Sequence, residues 1–191
     1  ETRDFGALST DSIAALQTAQ VLALTSAQII ALRTDQAQAL TTDQVTALRT
    51  DQALALTTQQ IVTLATAQLS ALETDDFSAI STRSVAALTT SQVFAITTAQ
   101  AYALTTQQAV ALGTAQIVAI STAQARALMT AQAFAMTTAQ LAAMETADFA
   151  AISTSSIAAL KTAQVVALTT DEIVALSTAQ TQAITSAQAF A

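Results

Sequence analysis

The sequence predicts an all-α fold, an α-solenoid (superhelix) of 24 very short helices with one helix per eight-residue repeat. Three observations carry this prediction. An eight-residue period runs the length of the chain, one column of the period is a hydroxyl, and the acidic residues gather just after that hydroxyl.

The period shows in Leu40 to Ala47 (LTTDQVTA), Leu104 to Ala111 (LTTQQAVA) and Leu168 to Ala175 (LTTDEIVA). The unit is Leu-x-Thr-x-Gln-Φ-x-Ala, with Φ usually Val, Ile, Ala, Leu or Phe, and its positions are labelled a to h. Position c is Thr except at Ser26 and Ser186, h is Ala except at Thr63, a is Leu, Ile or Met, and e is Gln in 17 copies.

A continuous helix fits this period poorly. Eight residues turn through about 800°, so an apolar stripe drifts by about 80° per repeat and no single partner covers it. A β-solenoid is the alternative, because Thr, Val and Ile favour strands, but Ala, Gln and Leu fill the remaining columns and turn glycines are missing. The third arrangement makes each octad its own helix. Thr at c is then the N-cap, at Thr10, Thr18, Thr42, Thr58, Thr106, Thr138, Thr170 and their equivalents, and d to the following a form a helix of about six residues.

In that helix f and the next a share a face, pairing Val45 with Leu48 and Ile117 with Ile120. Ala at h lets a neighbouring helix come close. Helices this short are unstable alone and exist only by stacking. The charges agree with the register: 18 of the 19 charged residues sit at b, d or e, the exception being Arg126, and ten of the 13 acids sit at d or e, where a helix dipole favours negative charge. Gly is nearly absent from b, so the chain leaves each helix without a left-handed glycine, through an extended b that feeds the next cap.

A longer period lies over the octads. Glu1-Thr-Arg-Asp-Phe, Glu73-Thr-Asp-Asp-Phe and Glu145-Thr-Ala-Asp-Phe recur every 72 residues, each followed by an octad with Ser at e (Ser12, Ser84, Ser156). The chain is thus one repeat array, 1–191, with super-repeats 1–72 and 73–144 and a partial third, 145–191. Nine octads per super-repeat divide by three and not by two, which favours three helices per solenoid turn. With layers about 10 Å apart, three helices per turn predict a stack of roughly 80 Å and two per turn roughly 120 Å.

Composition excludes several classes of function. Without His or Cys there is no thiolate or imidazole chemistry, no ordinary zinc site and no disulfide framework, and Lys161 is a lone amine with no partner for a nucleophile. The chain therefore reads as a non-enzyme with no cofactor. A net charge of −7 disfavours nucleic acid, and Thr, Ser, Gln or charge interrupts every apolar stretch, so no membrane insertion is expected. The start at Glu1, without an initiator Met or signal peptide, fits a segment cut from a longer protein.

Each regular column has a structural reading beside a functional one. The Thr column is a row of caps first and an ice-ordering hydroxyl face second. The Gln column either forms amide ladders between layers or bonds the backbone groups that short helices leave open. Glu1 with Asp4, Asp75 and Asp76 with Glu73, and Glu145 with Asp148 offer too few carboxylates for calcium, which takes six to eight oxygens, so no metal site is assigned. Position g mixes Leu22, Ile30, Phe94, Tyr102 and Phe134 with Gln38, Thr46 and Arg126 and leans towards partial burial; if exposed, Phe94, Tyr102 and Phe134 form a contact patch for another chain.

The Thr-Ala-Gln-Φ-x-Ala-Leu units, as in Thr98 to Leu104 and Thr162 to Leu168, resemble octapeptide-repeat tracts of giant bacterial surface or secreted proteins of the adhesin type. The resemblance implies an extended stalk or filament segment, extracellular or on the cell surface, that associates end to end or with flanking repeats of the same protein. The alternative is an adhesive module whose repeated face binds carbohydrate, a partner protein or ice. No haem site is carried over, since Met129, Met136 and Met144 fall on turn or core columns.

Overall fold

The computed structural model describes residues 5–190, and within them every regular element is an α-helix. Twenty-three helices follow one another from Thr10–Ala14 to Ser186–Ala189, one per octad, and each starts at position c. They are four to six residues long. The short acids fall in their first turns, as at Asp11, Asp43 and Asp171.

The helices begin one residue before the register read from the sequence. Thr10, Thr18, Thr42, Thr58, Thr106, Thr138 and Thr170 are first helical residues, and the N-caps are Ser9, Gln17, Thr41, Thr57, Thr105, Thr137 and Thr169. The physical reason is the spacing of a capping box: a cap hydroxyl accepts from the amide three residues on, and Gln at e is three residues from b, not from c. Thr105 Oγ1 accepts from the Gln108 amide at 3.1 Å while Gln108 Oε1 accepts from the Thr105 amide at 2.8 Å. Where b carries Gln17, Ala65, Gly113 or Met129, the Gln at e still takes the b amide at 2.6–2.8 Å, so the helix start does not need a hydroxyl at b.

Position a also leaves the helix. Leu40, with φ −59° and ψ 135°, and Leu104, with φ −51° and ψ 131°, are extended, and the b residues after them, Thr41 and Thr105, have ψ near 160°. Two consecutive residues in this conformation turn the chain from one helix into the next. Among the described residues no φ is positive, which is why this many turns need almost no glycine.

The chain forms two compact units, Glu1–Ile96 and Thr97–Ala191. In the first unit Thr10–Ala14 packs on Thr34–Ala39, which packs on Thr58–Thr63, which packs on Thr82–Ala86. The second repeats the rule with Thr98–Ala103, Thr122–Ala127, Thr146–Ala151 and Thr170–Val174. Every helix therefore stacks on the one three octads away, so each turn of the solenoid has three helices and 24 residues. The 72-residue super-repeat equals three whole turns.

Inside each unit the f and a columns form the core. Val45, Leu48, Ile117 and Leu141 are buried, h is half-buried, b, c and d mostly face outward, and g is half-buried or exposed. The small h side chain is what lets helices this short pack closely enough to share one core. At the landmark octads f becomes Phe77 and Phe149, both with no exposed surface, and the f residue one turn earlier is Ala53 and Ala125 respectively. A large side chain stands over a small one in the same column, keeping the core volume even from turn to turn.

Two substitutions test this register. Thr105→Val removes a cap acceptor and is expected to cost about 1 kcal/mol, whereas Thr106→Val, whose hydroxyl caps nothing, costs less than half as much; thermal melts compare them. Phe149→Ala leaves a cavity beside Ala125 and is expected to destabilise by about 3–5 kcal/mol in the same assay.

Candidate functional site

A helix of five or six residues has more unpaired backbone groups than paired ones: its first amides and last carbonyls have no partner inside the helix. Gln at e supplies partners for both ends. In the second unit Gln140 Oε1 accepts from the Thr137 amide at the start of its own helix, at 2.8 Å. Its Nε2 donates to the carbonyls of Ala109, Val110 and Leu112, at 2.9, 3.1 and 2.7 Å, at the end of a helix in the preceding turn. In the first unit Gln52 holds the Arg49 amide and donates to Val21, Leu22 and Leu24 in the same way.

The bridge repeats at Gln36, Gln44, Gln60, Gln68, Gln92, Gln132, Gln164, Gln180 and Gln188, always to carbonyls 28–31 residues earlier. These side chains are almost fully buried, so each bridge works where water cannot replace it. Of the two roles open to the Gln column, these bridges show the second, the completion of backbone groups.

The landmark octads replace the amide with acceptors and hydroxyls. Buried Asp76 accepts from Thr50 Oγ1 at 2.7 Å, and Asp148 from Thr122 Oγ1 at 2.6 Å. Ser84 meets Thr58 at 3.1 Å and Ser156 meets Thr130 at 3.4 Å, and each also pairs with the Ser three residues before it. Here the c hydroxyl, which is not a cap, binds the next turn. Nothing in the structure explains why c is Thr in the remaining octads.

Asp75 is exposed while Asp76 is buried against Thr50, so the adjacent carboxylates do not converge, and Glu1 and Asp4 lie outside the described residues. Among the described residues no three acidic, His or Cys side chains gather as metal ligands. No helix of the described residues is long and apolar enough to cross a membrane.

Glu172 is the exception among the bridges. It occupies e, is 1% exposed, and uses Oε2 for the Thr169 amide at 2.6 Å and the Thr169 hydroxyl at 2.9 Å. Its Oε1 is buried without a hydrogen-bond partner. That oxygen stands where the other octads place an amide N–H₂.

Basic side chains at b brace the turns from outside. Arg33 and Arg49 pair with Asp35 and Asp51 at 3.0 and 2.9 Å and also donate to the carbonyls of Gly6 and Leu22, 27 residues earlier. Hydrogen bonding from each arginine holds its carboxyl below the usual aspartate range. A lowered pKa stabilises the fold above the ordinary carboxylate range and is lost as pH falls through it, but both pairs are exposed and contribute little.

Position g is mixed: Val62, Ser70, Ser78, Ala142 and Ala150 are half-buried, whereas Phe94, Tyr102 and Phe134 are 65%, 56% and 46% accessible. Phe94 belongs to the first unit, and Tyr102 and Phe134 to the second. Phe134 lies under Lys161, whose ammonium is 4.5 Å from the ring centre. The signals that sequence reading missed were the Thr-x-x-Gln box starting at b and the acid at e in the octad of Glu172.

A family model described as the ALTTAQ repeat matches residues 1–34, 23–50, 69–106 and 141–178, together more than half of the chain. No characterised protein and no solved structure matches it.

Opposite substitutions at e test the bridge. Gln140→Leu strands the Thr137 amide and the carbonyls below it, at about 1–3 kcal/mol for each buried group left unpaired. Glu172→Gln supplies the missing donor and is expected to raise the melting temperature.

Proposed function

We propose, for a chain that belongs to the ALTTAQ repeat family, that its structural repeats form an extended stalk or filament segment of a bacterial cell-surface or secreted protein. The observation that supports this reading most is the repetition itself: within each unit, successive turns are joined by Gln-to-carbonyl bridges and share the f and a core, so an array lengthens without any new interaction. The role is mechanical and non-catalytic.

We propose also that such arrays associate end to end or with flanking octads. In the second unit Val165, Ile173, Thr181, Ile184, Gln188 and Ala189 line an open cavity of about 350 Å³. All six belong to the a, e and f columns, which a further turn covers elsewhere in the unit, and Ile173 is 42% exposed where Ile117 is 2%. A second reading, an adhesive module, draws on the exposed apolar residues at g.

Cryo-electron microscopy with sedimentation velocity tests the proposal. Rods or fibres that lengthen with concentration and continue the 24-residue turn are expected. Particles that stay monomeric and unextended at every concentration contradict it, and selective retention of the chain on a carbohydrate or ice surface favours the second reading.

A further inference from the structure

Glu172 stands in a position that elsewhere holds a positively polarised group. In the same unit Gln140, Gln164 and Gln188 each bring Nε2 within 2.7–3.3 Å of three backbone carbonyls that lie 31, 30 and 28 residues earlier. Three carbonyl oxygens thus converge on one point, and an N–H₂ group fills it. For Glu172 the same register selects the carbonyls of Leu141, Ala142 and Met144, at the end of helix Thr138–Leu141.

Glu172 holds its own helix start as the glutamines do, through Oε2 on the Thr169 amide. That leaves Oε1 for the carbonyl side, and Oε1 is buried with no donor. Among the described residues no lysine or arginine forms an ion pair with it; those recorded are Arg33 with Asp35 and Arg49 with Asp51. A buried carboxylate oxygen facing carbonyl oxygens is repulsive unless something positive lies between them.

We propose that Glu172 and the carbonyl oxygens of Leu141, Ala142 and Met144 form a binding site for an alkali-metal cation, potassium or sodium. All the donors are hard oxygens, which excludes soft metals. One carboxylate with three neutral carbonyls carries a single negative charge, which a monovalent cation neutralises and a divalent one would over-compensate. The carbonyl end of a helix also attracts positive charge. The cation does for this octad what the amide group does for its neighbours, tying one turn to the next.

The test compares the wild-type chain with Glu172→Gln in potassium, sodium and choline chloride at one ionic strength, following thermal unfolding by circular dichroism and sodium binding by NMR line broadening. The variant adopts the side chain of the neighbouring bridges and is expected to fold. The wild type should melt a few degrees higher in potassium or sodium than in choline and broaden the sodium resonance, and both effects should vanish in the variant. Equal melting in all three salts, a cation preference that survives in the variant, or a wild type stabilised only by acid, with a proton as the counter-ion, each overturns the site.

Discussion

The fold depends on how very short helices dispose of their backbone polar groups. A helix of five residues makes too few internal hydrogen bonds to persist, and burying its ends without partners costs more than its apolar side chains return. The buried glutamine amide resolves both ends at once, because it is an acceptor and a double donor on one flat group. Its oxygen closes the start of its own helix and its nitrogen closes the end of a helix in the preceding turn. Local and long-range order are therefore the same interaction, and a helix that loses its neighbour also loses its cap.

The remaining columns follow from that bond. Three helices per turn enclose a narrow core that f and a fill, and alanine at h keeps the helices close enough for the amide to span from turn to turn. The pair of extended residues at a and b steers each corner without glycine or proline, leaving b, d and g free to vary in charge and size. Where e is not glutamine, another polar link appears: a carboxylate or hydroxyl against a threonine of the previous turn. The Glu172 octad alone leaves a buried oxygen open among the described residues.

Much of this was legible in the amino acids. The octad period, the apolar pairs such as Val45 with Leu48 and the acids of the first turn define one short helix per repeat, and the nine-octad super-repeat points to three helices per turn. The regularity of a column does not mark the cap: Thr106 belongs to a near-invariant column, yet Thr105 holds the amide. Position b tolerates Ala65, Gly113 and Lys161 because Gln at e closes that amide regardless of the b side chain, so the capping column looks variable. The carbonyl partners 28–31 residues away could not be read from a single octad, since they depend on the corner angle, which no local pattern sets. The exposure of Phe94 and Tyr102 follows from that angle too.

The most direct measurement of the central claim is the hydrogen exchange of the glutamine side-chain amides by NMR. Buried bridges at Gln44, Gln52, Gln132 and Gln140 predict N–H₂ protons that exchange far more slowly than those of exposed Gln38 and Gln182 and that lose this protection only when the stacked turns open. Side-chain amides that all exchange at the rate of free glutamine, in a chain that is still helical, would contradict it.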